Sequence, residues 1–274
     1  MPKDLAKESN LLSLVESWDL VAEGYTQDLD WAMTPFSLKA IEVANLTPES
    51  RVLDIACGPG TLTLKVAPYV RQVDALDFSK EMLSLLINSI KNKNITNIKI
   101  HQADAHHLPF KDQQFDAVFS MFGIMVFSDR HQAFSEALRV LKPGAKALIA
   151  SWEFVESTFL SDLLKLMGAS DLACEEKLHS LENVEDFYQE MTIAGFDQVE
   201  IQRHTVKLGA VDAKTLWDKM ARATVSLAWL RKKIGEEEWQ KQSLKALDYL
   251  ENIFKGQSYV FPATALIGVG TKSS

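Results

Sequence analysis

Strand-length apolar runs alternate with helical patterns between residues 50 and 151, and this alternation limits the possible folds more than any other feature of the chain. The runs cover 51–56, 72–77, 98–104, 115–121 and 145–151. The first is apolar on both faces, which is typical of a central parallel strand covered by helices on each side. Such β-α alternation favours right-handed crossovers. We therefore predict an α/β fold with a doubly wound, mostly parallel sheet.

The second half of the chain is less regular. It contains two further predicted strands, at 198–207 and 262–271, the last of them antiparallel. Two long helical patterns lie between them, separated by Gly235. The apolar stripe of the first pattern consists of Leu216, Met220, Ala223, Leu227 and Leu230. We predict a helical hairpin at about 211–256, inserted before the last strand, which either caps the carboxyl edge of the sheet or forms a dimer surface.

Composition excludes several classes of protein. The 274 residues suffice for one large α/β domain. The net charge of −8 argues against a broad phosphate-binding surface, so we expect no nucleic-acid partner. Cys57 and Cys174 lie in unrelated contexts, which indicates neither a disulfide framework nor a metal site and fits a reducing cytoplasm. No apolar run approaches the ~20 residues that span a bilayer.

The first candidate site is the segment from Asp54 to Gly60, which reads Asp-Ile-Ala-Cys-Gly-Pro-Gly and forms the carboxyl end of the first strand and the loop after it. Open α/β sheets bind ligands at the carboxyl ends of their strands, near the switch in strand order. The small residues Ala56, Gly58 and Gly60 allow the backbone to approach a ligand closely. Taken alone, the segment is a weak signal, because a tight turn that binds nothing is the alternative.

Asp77, at the end of the second strand, narrows the choice of ligand. Its carboxylate can accept hydrogen bonds from both ribose hydroxyls of an adenosine. Counting from Gly58 gives Gly60 and then Thr63, so the third glycine of a dinucleotide fingerprint is missing. No Lys-Ser or Lys-Thr pair follows the loop, which excludes a P-loop. A loop with little positive charge, backed by Asp54, suits a ligand that carries an ammonium group and a sulfonium.

The segment 52–60, Val-Leu-Asp-Ile-Ala-Cys-Gly-Pro-Gly, resembles motif I of the class I methyltransferases, especially their ubiquinone/menaquinone-biosynthesis-like small-molecule branch. The resemblance continues to about Trp152 through the segments 77–83, 104–110, 115–118 and 138–144. Ala56 stands where many members have glycine. Residues 157–260 match only loosely.

The resemblance implies a single Rossmann-like methyltransferase domain over residues 1–274, built on a seven-stranded sheet. Its parts would be an N-terminal helical lid at 1–45, a cofactor-binding core at 46–156 and a substrate-side half at 157–274. It also implies S-adenosyl-L-methionine as cofactor and S-adenosyl-L-homocysteine as product. Either a monomer or a homodimer is compatible with it.

For the methionine and ribose parts of the cofactor, the resemblance implies roles position by position. The backbone at Ala56, Gly58 and Gly60 would pass under the methionine moiety. The carbonyl region of Ser120, at the end of the fourth strand, would lie near the ammonium group. Asp77 would accept from the ribose hydroxyls.

For the adenine, the resemblance implies a second group of residues. Phe78 and Met82 would pack on the ring, although both also fit a plain helix-to-sheet core. Asp104 would accept from the adenine amino group, and the Ala105 N–H would lie near a ring nitrogen. Tyr25 belongs to a segment that resembles the N-terminal lid of the family, and it would close over the cofactor.

The acceptor of the methyl group is less well defined by the sequence. The fourth strand runs into Ser-Met-Phe-Gly at 120–123 rather than the Asn/Asp-Pro-Pro-Tyr that resembles an amino-group methylation motif. The apolar face that would suit a small molecule consists of Phe122, Met125, Phe127, Trp152 and Phe154. The candidate bases are His106, His107, His131, His179 and His204, and none is assigned as catalytic.

We therefore predict methyl transfer to a small-molecule acceptor. Two alternatives remain open on the sequence alone. One is a methyltransferase acting on protein or RNA, which would present an open basic groove. The other is a non-catalytic S-adenosylmethionine-binding protein.

Overall fold

A computed structural model describes residues 11–154, 158–172 and 181–273, and these ranges contain seven strands and ten α-helices. The strands are β1 (Arg51–Ile55), β2 (Gln72–Asp77), β3 (Ile98–Gln102), β4 (Phe115–Met121), β5 (Leu141–Trp152), β6 (Asp197–Ala210) and β7 (Tyr259–Thr271). The helices are α1 (Val15–Asp28), α2 (Asp30–Ala44), α3 (Thr61–Val66), α4 (Lys80–Asn92), α5 (Arg130–Val140), α6 (Phe159–Leu166), α7 (Val184–Ile193), α8 (Ala213–Ala223), α9 (Val225–Ile234) and α10 (Glu236–Phe254).

All seven strands form one sheet in the order β3-β2-β1-β4-β5-β7-β6. The pairs from β3 to β5 are parallel, and β7 is antiparallel to both of its neighbours. This arrangement confirms the predicted doubly wound sheet with a reversed last strand. The strand order reverses at β1, whose neighbours are β2 on one side and β4 on the other, so the carboxyl ends of these strands border the binding crevice of the fold.

The core lies on both faces of the central strands. Val52, Leu53 and Ile55 of β1 are fully buried, as the doubly apolar pattern of this run predicts. One carboxylate also lies inside the sheet: Asp74 of β2 accepts hydrogen bonds from Arg51 at 2.8 and 3.1 Å and contacts His101 at 2.8 Å. A buried charge is tolerated there because these partners satisfy it.

The strand β5 begins earlier than its sequence predicts. The apolar run at 145–151 predicts a strand that begins at residue 145, but residues 142–144 also lie inside β5, as a bulge. The pairing with β4 jumps from Phe115↔Leu141 to Ala117↔Lys146, which leaves the intervening residues unpaired on that side. Gly144 has φ +77°, a conformation that glycine adopts without the steric cost of a Cβ. A bulge and a turn therefore share the same Pro-Gly signal here.

The predicted helical hairpin is also corrected, because its first arm is two helices, α8 and α9. Thr224 lies between them in an extended conformation, with φ −100° and ψ 122°. The apolar stripe continues from α8 into α9, so the hydrophobic period gives no sign of the break. Thr224 is β-branched and favours extended backbone. Gly235, with φ +78°, ends α9 where the sequence predicts.

The N-terminal helix α1 lies between the core and the insertion. Arg222 of α8 forms an ion pair with the buried Asp28 of α1 at 2.8 Å. Trp229 of α9 donates a hydrogen bond to the buried Ser17 of α1 at 2.8 Å. A Cβ placed on Gly24 would lie 2.3 Å from the Arg222 carbonyl oxygen, so the two helices touch backbone to backbone. We call α1, α8 and α9 together the cover. No helix within the described ranges is long and apolar enough to cross a membrane.

Candidate cofactor site

A cavity lies at the carboxyl ends of β1, β2 and β4, beneath α1 and α2. It contains about 970 Å³ of empty space, including space open to solvent. All predicted cofactor residues except Gly60 and Ser120 line it. These lining residues are Tyr25, Asp54, Ala56, Gly58, Asp77, Phe78, Met82, Asp104 and Ala105. Residues far apart in the sequence are thus brought to one crevice, at the position where an open α/β sheet binds its ligand.

The loop after β1 takes a conformation that demands small residues. Ala56 and Gly58 both have φ +53°, and Gly60 has φ +94°. A Cβ on Gly58 would meet no atom within 4 Å, whereas a Cβ on Gly60 would lie 2.4 Å from Cδ1 of Leu86. Gly58 therefore borders the open cavity, and Gly60 starts α3 and packs against α4. The structure does not bring Gly60 to the cavity wall.

Asp77 ties this loop to the end of β2. Its Oδ2 accepts from the backbone N–H of Gly58 at 2.8 Å, and its Oδ1 accepts from the N–H of Ser79 at 2.9 Å. Burial, with the nearby Asp19 adding to it, raises the pKa of Asp77 to about 6 despite these hydrogen bonds. Each carboxylate oxygen has a further lone pair, so Asp77 can still accept from hydroxyl groups of a ligand.

Asp54 provides a second buried acid behind the loop. Its Oδ2 accepts from Oγ1 of Thr63 at 2.5 Å, a partner that no sequence pattern indicates. Burial raises the pKa of Asp54 to about 7, and the negative charge of Asp77 adds to this effect. The described residues that line the cavity include neither lysine nor arginine. Two buried carboxylates without a basic partner fit a positively charged ligand such as a sulfonium with an ammonium group.

Tyr25 reaches the cavity from the cover. Its ring packs edge-on against Trp18, with the centroids 6.1 Å apart. Burial, followed by the charges of Asp30 and Asp77, raises the pKa of Tyr25 to about 12, so the phenol is neutral at pH 7. Tyr25 can therefore donate one hydrogen bond into the site.

Phe78 and Met82 border the cavity beside Asp77. Met82 is buried, and it packs in an apolar cluster with Val21 of α1 and Val225 of α9. It lines the cavity and also joins the cover to α4, so its packing on the adenine stays a prediction. Ser79 begins α4 by accepting from the Met82 N–H at 3.1 Å, as its N-cap position predicts.

The loop after β3 carries Asp104, Ala105 and His106 into the cavity wall. The Asp104 side chain is 63% exposed, and its Oδ1 contacts Nδ1 of His106 at 2.6 Å. Of the other candidate histidines, His107 and His131 do not line the cavity, and His204 packs edge-on against Phe36, 5.8 Å away. His179 lies outside the described residues, as does Cys174.

Ser120 lies behind the cavity rather than in its wall. It is fully buried, and its Oγ accepts from the Ile124 N–H at 3.2 Å. Phe122 lines the cavity instead, with φ +64°, which is uncommon for a bulky side chain. Its ring stacks on Trp152, with the centroids 4.3 Å apart. The sequence placed Phe122 on an apolar face, but it carried no signal for this backbone conformation.

The remaining residues of the predicted apolar face do not all lie in the cavity wall. Phe127 lines the cavity, whereas Met125 is buried beside it. Trp152 supports Phe122 from behind, and Phe154 is 55% exposed on the surface. The cavity wall on this side is completed by Met33, Ser37 and Met121.

Comparison with known proteins shows similarity to methyltransferases. The family described as "Methyltransferase domain" matches residues 52–144. The ubiquinone/menaquinone biosynthesis C-methyltransferase UbiE of Shewanella piezotolerans is 33% identical over 184 residues, covering 60% of this chain and 73% of that protein. The uncharacterized methyltransferase YcgJ of Bacillus subtilis is 32% identical over 124 residues. That alignment covers 45% of this chain and about half, 49%, of the relative.

Solved structures share the fold along most of the chain. The YcgJ structure from Bacillus subtilis superposes with a TM-score of 0.59 at 24% identity, covering 87% of this chain and 99% of that one. Phosphoethanolamine N-methyltransferase 2 of Haemonchus contortus, solved with S-adenosyl-L-methionine, gives a TM-score of 0.62 at 18% identity. This superposition covers 100% of this chain and 62% of the chain in that structure.

The sheet order, the glycine loop and the acidic cleft define a class I S-adenosylmethionine-dependent methyltransferase fold. The chain belongs to this family. Within the family it belongs to the ubiquinone/menaquinone-biosynthesis-like branch, and the resemblance stated from its motifs is confirmed.

Proposed function

We propose that the protein transfers the methyl group of S-adenosylmethionine to a neutral, largely apolar small molecule by in-line displacement. The observation that carries this proposal is the composition of the cavity wall. It combines buried carboxylates at one end with methionine and aromatic side chains at the other, and its described residues include neither lysine nor arginine. The first end suits a cationic donor, and the second suits an uncharged acceptor.

The donor end would hold the cofactor through residues already fixed by their neighbours. Asp77 would accept from the ribose hydroxyls, and the loop at Ala56 and Gly58 would support the methionine moiety. Asp54 would offset the positive charge of that moiety. Asp104 would accept from the adenine amino group. When bound, the cofactor supplies a methyl group on a sulfonium, which is reactive without further activation.

The acceptor end would contribute alignment and the exclusion of water. Reacting atoms held about 3–3.5 Å apart gain much of their rate from orientation alone. Phe122 provides a rigid wall because Trp152 stacks behind it and Phe36 packs edge-on against it, with the centroids 5.5 Å apart. The cover closes the opposite side through Tyr25 and Trp18. An apolar molecule enclosed there would be shielded from solvent.

The charge of the cavity limits which acceptors are compatible with it. A phosphate or carboxylate on the acceptor would approach Asp54 and Asp77 with no described lysine or arginine in the wall to offset the repulsion. A neutral acceptor incurs no such cost. The relatives named as ubiquinone/menaquinone biosynthesis C-methyltransferases support a small-molecule acceptor as well.

No general base is part of the proposal. Tyr25 is neutral at pH 7 because burial raises its pKa to about 12. Both ring nitrogens of His106 are already hydrogen bonded. The residues of the wall therefore act by binding and orienting, and proton loss from the acceptor is left to solvent or to the acceptor itself.

The alternatives of a protein or RNA substrate receive less support. Such substrates would need an open, basic groove beside the cofactor. The described wall contains no lysine or arginine, and α1 and α2 cover it. A non-catalytic protein would bind the cofactor without transferring its methyl group, so a turnover assay distinguishes this role from that of an enzyme.

The test is a turnover assay with S-adenosylmethionine labelled on the methyl group. Paired acceptors that differ only by a charged group, for example a phenol and its hydroxybenzoate, would be incubated with the protein. We expect S-adenosylhomocysteine to form with neutral members of the pairs and not with anionic ones. Preference for the anionic members would contradict the acceptor class. Tight cofactor binding with no turnover on any small molecule, protein or RNA would favour the non-catalytic role.

A further inference from the structure

We propose that His106 is a positioning residue for cofactor recognition, which fixes the Asp104 carboxylate so that one of its oxygens distinguishes an adenine amino group from other substituents. The inference rests on the proposed function, because it assumes that an adenosine occupies the cavity. It concerns a residue that sequence reasoning could offer only as a candidate base.

The first support is the pattern of hydrogen bonds on Asp104. Both the backbone N–H and Nδ1 of His106 meet the same oxygen, Oδ1, at 2.9 and 2.6 Å. Since an ionised carboxylate only accepts, Nδ1 must carry the proton. Among the described residues, the other oxygen of Asp104, Oδ2, makes no hydrogen bond. One oxygen is therefore fixed by His106, and the other remains available in the cavity wall.

The second support is the anchoring of His106 itself. Its Nε2 accepts from the backbone N–H of Asp129 at 3.3 Å, and its carbonyl accepts from Gln132 at 3.0 Å. Its ring also packs on Phe127, with the centroids 5.2 Å apart. These contacts hold His106 in the tautomer that donates to Asp104. They also join the loop after β3, which lines the cavity, to the start of α5, which directly follows the lining residues Phe127 and Ser128.

The third support is that Asp104 lacks any other means of orientation. Its side chain is 63% exposed, whereas that of His106 is only 19% exposed. An exposed carboxylate without a fixed partner samples several rotamers, and ordering it on binding costs free energy. Burial alone would raise the pKa of Asp104, but the hydrogen bonds from the backbone and ring of His106 outweigh this and lower it. The group is thus ionised and already oriented at neutral pH.

A fixed carboxylate accepts from the amino group of adenine but repels the carbonyl oxygen that hypoxanthine carries at the same position. Sites built around a specific hydrogen bond reject analogues that lack the partner group. Orientation by His106 should therefore appear as discrimination between the two bases, beyond any effect on overall affinity.

The experiment is calorimetric titration with two ligands, S-adenosylhomocysteine and its deaminated analogue S-inosylhomocysteine. The proteins are the wild type, His106→Ala, His106→Asn, Asp104→Ala and the double variant. His107→Ala serves as the matched control, because His107 is the exposed neighbour that does not line the cavity. Asparagine can donate an N–H in place of Nδ1, so His106→Asn is the conservative variant. Circular dichroism establishes that each variant is folded.

We expect the wild type to favour S-adenosylhomocysteine by about 10-fold or more. His106→Ala should reduce this preference by roughly 3- to 10-fold, since one charge-assisted hydrogen bond that orients the carboxylate is lost. His106→Asn should restore most of it, and His107→Ala should leave it unchanged. In the Asp104→Ala background, His106→Ala should have no further effect on the preference.

Three outcomes would overturn the inference. An unchanged preference in His106→Ala, even with weaker binding of both ligands, would assign His106 a purely structural role. A failure of His106→Asn to restore the preference would exclude the donated hydrogen bond as its cause. A wild type that binds both ligands equally would remove the role of Asp104 and leave the proposed function intact. Absence of any S-adenosylhomocysteine binding by the wild type would refute the proposed function together with this inference.

Discussion

The carboxylate of Asp77 accepts a hydrogen bond from the backbone N–H of Gly58 at 2.8 Å, so the end of β2 and the loop after β1 form one unit. A ribose acceptor and the loop that would support the methionine moiety are therefore held in fixed relation. Less free energy is then spent on ordering when a ligand binds.

The two loop glycines should respond differently to the same substitution. Gly58→Ala places a Cβ at an open position of the cavity wall, at φ +53°. We expect a stability loss of about 1–2 kcal/mol from the left-handed backbone and a loss of S-adenosylhomocysteine affinity of roughly 10-fold or more. Denaturant titration and calorimetry measure the two effects. Retention of full affinity by Gly58→Ala would show that the loop does not face the cofactor.

Gly60→Ala is the matched comparison. The new Cβ would lie 2.4 Å from Cδ1 of the buried Leu86, at φ +94°. We expect a larger loss in the free energy of unfolding, about 2–4 kcal/mol, because overpacking adds to the backbone cost. Denaturant titration checks this directly. If Gly60→Ala proved no less stable than Gly58→Ala, the packing against α4 would be wrong.

Cofactor affinity should depend on pH through the two buried acids. Burial raises the pKa of Asp54 from 3.8 to about 7 and that of Asp77 to about 6. Both are needed in the charged form to attract a cation, so affinity for S-adenosylmethionine should rise from pH 5 to pH 8 and then level off. Binding near pH 6.5 should release protons, measurable by calorimetry in buffers of different ionisation enthalpy. Affinity independent of pH over this range would contradict the assignment.

Stability of the ligand-free protein should show the opposite trend from the same groups. A folded-state pKa raised above the unfolded value contributes stability that is present below about pH 4 and is lost as pH rises through the folded value, about 7 for Asp54. Asp54→Asn should therefore flatten the fall in free energy of unfolding between pH 4 and pH 7. Denaturant titration at several pH values measures it, and an unaltered slope in this variant would count against the burial of Asp54.

Asp74 contributes to the free energy of unfolding with the opposite dependence on pH. Hydrogen bonds from His101, Arg51 and Gln72 outweigh its burial and hold its pKa well below the usual range. Its stabilisation is therefore present above the unfolded pKa, about 4, and is lost as pH falls below it. We expect Asp74→Asn to lower the free energy of unfolding at pH 7 by about 2–4 kcal/mol, with cofactor affinity per folded molecule unchanged. Denaturation and titration of the same preparation test both parts.

The ion pair between Asp28 and Arg222 should control how easily the cover opens. Arg222→Ala leaves Asp28, whose side chain is 8% exposed, without its partner. We expect S-adenosylhomocysteine to dissociate about 3- to 10-fold faster and the amides of α1 to exchange hydrogen faster. Arg231→Ala, which removes an exposed pair with Glu236, is the control and should change neither rate. Equal dissociation rates for both variants would show that the cover does not gate the site.

Much of the site could be predicted because its residues follow strand ends. Asp54 is the next-to-last residue of β1 and Asp77 is the last residue of β2, and the fold brings the carboxyl ends of neighbouring strands together. Gly58 could also be predicted from its neighbours, because it lies in the loop after the first strand, where its positive φ favours glycine. Such features depend on a few adjacent residues, which a sequence displays directly.

The rest depends on packing between distant segments. Asp28 and Arg222 are 194 residues apart, and nothing near either residue indicates the other. The positive φ of Phe122 results from its position against Trp152 and Ala150 rather than from its own preference. The break at Thr224 preserves the apolar stripe and is therefore invisible to hydrophobic periodicity. These features arise from contacts between distant segments, which local sequence patterns do not display.

The central claim is that the cleft between the Gly58 loop and Asp77 binds S-adenosylmethionine. Calorimetric titration of S-adenosylhomocysteine into Asp77→Ala tests it most directly. Asp116→Ala is the matched control, because Asp116 is a carboxylate of the same sheet that pairs with Lys142 and does not line the cavity.

Two hydrogen bonds to a charged group, at roughly 1.5–3 kcal/mol each, set the upper bound on the effect, and partial replacement by water lowers it. We predict that Asp77→Ala weakens S-adenosylhomocysteine binding about 10- to 100-fold, while Asp116→Ala binds like the wild type. Unchanged affinity in a folded Asp77→Ala protein would contradict the account.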